Sequence, residues 1–137
     1  MEKIKIAHQT PAIAEYIQLR VEVGWGSLDQ KIAEKGLRNS IYQVCITEND
    51  KLIGYGRLIG DDAFTIYVQD VIVKPSYQRK GIGTKIIEEI MLYIKKNYGK
   101  GCMICLLSSK GKEGFYKKYG FIERPNEKYD PGMIQIL

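Results

Sequence analysis

The stretch VKPSYQRKGIGTKIIEEI, Val73–Ile90, decides the fold. A lysine-proline break leads into polar and basic residues, then into two glycines, Gly81 and Gly83. Behind them Ile82, Ile86, Ile87, Ile90 and Ile94 recur at helical spacing, with Lys85, Glu88, Glu89, Lys95 and Lys96 on the opposite face. The spacing predicts a helix from about Gly81 to Tyr98. The first N–H groups of a helix have no partner within it, and they point outward with the positive end of the helix dipole. Such an end suits a phosphate or a diphosphate. Glycine lets an anion lie against the backbone, Arg79 and Lys80 add charge, and Gln78 adds a donor or acceptor.

Working outward, the preceding segment reads as an antiparallel meander. IYQVCIT alternates as a strand does, ENDK is a turn, and LIGYGRLIG and AFTIYVQDVIV follow, separated by GDD. Gly54 and Gly56 permit a bulge or a close backbone approach. Further upstream, a short strand near Ile4–Ala7 precedes a helix with Thr10 as N-cap and Pro11 at its first position. The segment GWGS ends that helix, and Ser27 or Asp29 caps a second one running through Glu34. Downstream, CMICLL reads as a buried strand and KEGFYKKYG as a short helix ended by Gly120. FIE and MIQIL supply two last strands. The order β-α-α-β-β-β-α-β-α-β-β is that of one α+β domain over residues 1–137, with a central mixed, mostly antiparallel sheet flanked by helices.

Composition narrows the function classes. A chain of 137 residues buries roughly 68% of its unfolded surface and needs no staples. No apolar run reaches the length of a membrane span. The start, MEKIKIAHQTP, lacks an apolar signal core. Cys45, Cys102 and Cys105 are too few, and odd in number, for a disulfide framework, which fits a cytoplasmic protein. Cys102 and Cys105 point to opposite faces of a strand and His8 is the sole histidine, so no metal site is expected. The net charge of +5 favours an anionic ligand. No stacking-aromatic module for nucleic acid appears.

The glycine loop is neither of two common phosphate motifs. A Walker A loop needs G-x-x-x-x-G-K-[ST], which is absent. A dinucleotide fingerprint needs a third glycine where Ile86 stands. QRKGIG does fit the Q/R-x-x-G-x-G/A signature of the GNAT superfamily of N-acetyltransferases, between a strand and a long helix. FYKKYGF, 115–121, resembles the later F-Y-x-K-x-G-F segment of the same family. The resemblance covers the whole chain in element order and residues 71–121 in detail.

That resemblance implies the GNAT (acyl-CoA N-acyltransferase) fold and acetyl transfer from acetyl-CoA to a primary amine by direct attack. It implies that backbone amides of Arg79, Lys80, Gly81, Ile82, Gly83 and Thr84 hold the diphosphate, with Gln78 beside them. Val71, Ile72 and Val73 then pair with the pantetheine arm as an added strand would, and a backbone N–H there polarises the thioester carbonyl. Tyr116 matches the tyrosine that supplies a proton to the departing thiolate. Full transfer from a phenol to a thiolate is uphill by roughly two kcal/mol at reference values, so a strengthening hydrogen bond is the safer description. Asp70 acts as base, directly or through a water, or anchors the amine as its counter-ion, or is a structural carboxylate satisfying loop amides. Glu22 is the weaker candidate for the base or amine-binding role. Ser109 replaces an asparagine common in relatives and contacts the pantetheine or caps the helix. Trp25 either stacks on the acceptor or anchors packing. The acceptor is a small amine, a lysine side chain or an α-amine, with no nucleic-acid or membrane partner, and a homodimer is possible. A non-catalytic acyl-CoA-binding module on the same fold is the alternative.

Overall fold

A computed structural model describes residues 3–137. The chain forms two compact units, Met1–Leu106 and Leu107–Leu137. The first contains β1 (Ile4–Ala7), α1 (Ile13–Glu22), α2 (Gln30–Arg38), β2 (Tyr42–Glu48), β3 (Lys51–Gly60), β4 (Thr65–Val73), a 3-10 turn (Pro75–Tyr77), α3 (Ile82–Asn97) and β5 (Met103–Cys105). The five strands lie in the order β1-β2-β3-β4-β5. All neighbours are antiparallel except β4 and β5, which are parallel. The mixed, helix-flanked sheet is the expected one.

Local chemistry explains the pairing. Asn49 and Asp50 take φ of 50° and 66°, between the paired Glu48 and Lys51. Two central residues of positive φ make the tight loop whose twist matches antiparallel strands. Helices α1 and α2 cover one face, where Tyr16, Leu19, Ala33 and Leu37 meet Cys45, Leu52, Tyr55 and Ile72. On the other face α3 buries Ile82, Ile86, Ile87, Ile90 and Ile94. Each buried isoleucine is worth about 1.5–3 kcal/mol.

Glycines seat α3 on the sheet. A Cβ built on Gly54 would lie 2.8 Å from Ile82 Cγ2, and one on Gly56 would lie 2.6 Å from Ile86 Cγ2. Both contacts are too close for a real side chain, so the helix rests in a trough that only glycine leaves open. We expect Gly56→Ala to destabilise the fold by about 1–3 kcal/mol through overpacking. The midpoint of urea unfolding measures this, and an unchanged midpoint would refute the close seating.

Several local expectations are corrected. Helix α1 begins at Ile13 with Ala12 as N-cap and no side-chain capping bond. Thr10 is not the cap, because its hydroxyl accepts from the Gln43 side chain at 2.9 Å. Asp29, not Ser27, caps α2, accepting from Lys31 N and Ile32 N, and α2 runs on past Glu34 to Arg38. The CMICLL strand is only three residues long, and Met103 is 52% exposed. As an edge strand β5 has a neighbour on one side only.

The second unit holds one short helix, α4 (Glu113–Lys117). Phe115 packs edge-on against Tyr116 and Tyr119, at 5.1 and 5.7 Å between ring centres. Tyr116 meets Phe121 at 6.1 Å. The strands expected at FIE and MIQIL are absent: residues 121–123 and 133–137 are irregular. An alternating pattern makes a strand only where a neighbouring strand accepts its hydrogen bonds, and those segments have no ladder partner among the described residues.

Candidate active site

The end of β4 and the start of α3 carry the candidate site. Strand β4 pairs with β5 only through Thr65, Ile66 and Tyr67. From Val68 to Val73 its sole ladder partner among the described residues is β3, so the other edge is open. Lys74 N donates to Ile53 O at 2.8 Å. By the alternation of a strand, Ile72 also turns its backbone groups toward β3, while Val71 and Val73 turn theirs to the open edge. Gln78 Nε2 reaches the Val73 carbonyl there, at 3.1 Å. Gln78 thus fastens the loop to the strand that precedes it.

The loop carries backbone donors at residues of unusual conformation. Arg79 and Gly81 have φ of 63° and 82°, and Lys80 between them does not share that hand. Alternating handedness turns successive N–H groups to one side and makes an anion-binding nest. Gly81 is the N-cap of α3, with no side-chain cap. The helical ladder starts with Lys85 N donating to Gly81 O at 3.1 Å, so the N–H groups of Ile82, Gly83 and Thr84 precede it. The Ile82 side chain is buried, leaving its backbone for any ligand. A Cβ on Gly81 would meet no atom of the chain within 4 Å. A side chain at Gly81 would therefore point into open space.

Two residues outside the sequence reading brace this loop. The Tyr77 hydroxyl donates to Glu48 Oε1, and Glu48 is almost fully buried at the end of β2. Lys80 Nζ lies 5.5 Å from the centre of the Tyr77 ring. The one aromatic in PSYQRKG was the available signal.

Asp70 occupies a bulge. Tyr55 pairs with Ile72 and Arg57 with Gln69, so Asp70 and Val71 together face Gly56. Asp70 has φ of 60°, and its carboxylate is wholly buried. Oδ2 accepts from Tyr16 Oη at 2.5 Å and from Arg57 Nε at 2.9 Å. Oδ1 accepts from Gln69 Nε2 at 3.0 Å. Arg57 Nη1 goes on to the Gly36 carbonyl and Ser40 Oγ, both at 3.2 Å. The carboxylate thus ties α1, β3 and the end of α2 to the bulge. Neither Tyr16 nor Arg57 was singled out from sequence, although one arginine inside LIGYGRLIG was a visible anomaly.

Burial, and next the Asp70 charge, push the Tyr16 hydroxyl up from 10.0 to about 12, with Arg20 pulling it partly back. The folded chain therefore keeps this proton where the unfolded chain has lost it. The stability it contributes is complete below pH 10 and is lost as pH rises from 10 toward 12. We expect Tyr16→Phe to flatten the fall in unfolding free energy between pH 10 and 12. Tyr42, raised to about 12 mainly by burial, keeps part of the slope. Parallel slopes for the two proteins in urea titrations would contradict this assignment.

The remaining predicted residues are placed as follows. Glu22 is ion-paired with Lys74, at 3.0 and 3.1 Å. Trp25 is 37% exposed between Gly24 and Gly26, which take φ of 86° and 81°. Tyr116 and Ser109 belong to the second unit. Burial raises the Tyr116 hydroxyl above its usual 10.0. Ser109 does not cap α4, whose N-cap is Lys112 without a side-chain bond. Instead, the Ser109 carbonyl accepts from Lys112 N at 3.0 Å. No group of three or more histidine, cysteine or acidic side chains among the described residues could hold a metal ion.

Residues 39–123, more than half of the chain, match the family described as the acetyltransferase (GNAT) domain. The chain belongs to this family of acetyltransferases. A solved probable acetyltransferase from meticillin-resistant Staphylococcus aureus superposes with a TM-score of 0.89 at 30% identity, over 98% of this chain and 100% of that one. A GNAT-family acetyltransferase from Streptococcus pneumoniae gives 0.79 at 31% identity, over 98% of each chain. The uncharacterized N-acetyltransferase ycf52 of Pyropia yezoensis is 29% identical over 116 residues, which are 82% of this chain and 66% of that protein. The chain thus spans just under two thirds of the length of the curated relatives it matches first.

Proposed function

We propose that the chain is an acetyl-CoA-dependent N-acetyltransferase that acetylates a primary amine by direct attack. The nest at Arg79–Gly81, continuous with the free N–H groups opening α3, is the observation that carries this reading. Its donors, its flanking Arg79 and Lys80, and the open space at Gly81 fit a diphosphate. The open edge of β4 fits an amide-bearing arm, with Val71 and Val73 as the strand it joins. Acetyl-CoA supplies the activated acetyl thioester. The chain's residues grip its phosphates, align the arm, and hold a proton on the Tyr116 hydroxyl for the leaving sulfur. The raised pKa keeps Tyr116 protonated throughout the neutral range.

For Asp70 the geometry favours the structural alternative. Its oxygens are engaged by Tyr16, Arg57 and Gln69, so it positions the bulge rather than taking a proton from the amine. A low, odd cysteine count supports placing the chain in a reducing compartment such as the cytoplasm. Among the described residues no helix is long and apolar enough to cross a membrane. The test is thiol release from acetyl-CoA with a panel of amines, run beside calorimetry with coenzyme A. Binding with turnover supports the enzyme. Binding without turnover on every amine supports the acyl-CoA-binding module, and absence of binding overturns both.

A further inference from the structure

Arg20, in the last turn of α1, carries a charge that the chain leaves unbalanced. Its Nε is buried without a hydrogen-bond acceptor. Its Nη2 donates to the Trp25 carbonyl at a long 3.4 Å, and its side chain also hydrogen-bonds the Tyr16 hydroxyl. A guanidinium stays ionised in proteins, and a buried donor left without an acceptor is destabilising. The acids around it are already committed. Asp70 Oδ2 is shared by Arg57 and Tyr16, and Glu22 is held by Lys74. No ion pair involves Arg20 among the described residues. Arg20, Arg57 and Asp70 together leave one positive charge in excess.

The surroundings of Arg20 join it to the network that shapes the β4 bulge. Its charge is felt at the Tyr16 hydroxyl, which donates to Asp70 in the β4 bulge. On the other side, Trp25 N donates to the Arg20 carbonyl at 2.9 Å. The backbone of Trp25 is thereby tied to Arg20 through both its N–H and its carbonyl. We propose that Arg20 is the acceptor-recognition residue and that the amine substrate bears an anionic group, a carboxylate or a phosphate, which pairs with its guanidinium. Trp25 then offers an apolar surface to the part of the acceptor next to that group. The proposal rests on the acetyltransferase reading, since it takes the open edge of β4 as the place of reaction.

The test uses matched pairs of amines: an α-amino acid against its amide, and an aminosugar phosphate against the unphosphorylated aminosugar. We expect kcat/KM to favour the anionic member of one pair by about tenfold or more, the effect of one charge-assisted contact. Which pair responds identifies carboxylate or phosphate. Arg20→Gln should shrink that ratio toward one through a higher KM for the anionic member, and Arg20→Lys should restore part of it. Thermal melts confirm that both variants fold. Equal rates on both members of each pair, or a ratio that survives Arg20→Gln, would overturn the proposal and leave the acetyltransferase reading standing. If no amine turns over, calorimetry decides. The aminosugar phosphate and the amino acid are titrated into the coenzyme A-bound chain. Binding lost in Arg20→Gln supports the proposal, and absence of binding refutes it.

Discussion

Phenylalanine in place of Tyr116 should lower kcat for acetyl transfer by roughly a hundredfold or more, the usual worth of a positioned proton donor. The ring contacts with Phe115 and Phe121 do not involve the hydroxyl, so the fold should survive. Affinity for acetyl-CoA should change far less than kcat. Burial holds the hydroxyl above its ordinary pKa of 10.0. The acid form is therefore present throughout the neutral range, and below pH 10 no fall in kcat should trace to loss of this proton. Steady-state kinetics across pH on both proteins provides the measurement. Equal turnover would remove Tyr116 from the mechanism and give the proton to water.

Valine at Gly81 should raise the dissociation constant for coenzyme A by tenfold or more, about 1.4 kcal/mol or above. Two effects act together. The φ of 82° suits glycine and strains a β-branched residue. The added carbons would also enter the open space where the phosphates are to lie. Asparagine separates the two, because it tolerates the left-handed conformation. Gly81→Asn should keep the thermal stability of the parent and still bind coenzyme A more weakly. Unchanged affinity in both variants, measured by calorimetry, would move the diphosphate site elsewhere.

Much of this was legible in the chain because it depends on local rules. The isoleucines of α3 repeat at helical spacing, and all five expected positions are buried. The Asn49-Asp50 turn announces its own geometry. The glycine loop was visible as a motif, although the nest at Arg79 was not, since an arginine of positive φ leaves no sequence mark. The Asp70 bulge was equally hidden. Burial alternates without a break along β4, yet the register slips by one residue and carries Asp70 to the face of Tyr16 and Arg57. Only three-dimensional pairing reveals that slip. Thr10 and Pro11 made a sound local start for α1, but a long-range bond from Gln43 claimed the threonine. In FIE and MIQIL the pattern suited a strand, but the described fold provides no partner.

The trough at Gly54 and Gly56 reaches beyond packing. It keys α3 to β3 at two points a turn apart, Ile82 and Ile86, so the helix cannot slide along its axis without driving a methyl group into the sheet. The donors at its tip are consequently held at a fixed height above the open edge of β4, where the pantetheine arm is proposed to lie. Folding has already met the entropic cost of ordering those donors, and ligand capture need not meet it again. Efforts to change which acyl-CoA the chain accepts should therefore leave this hidden keyway intact and alter the rim alone.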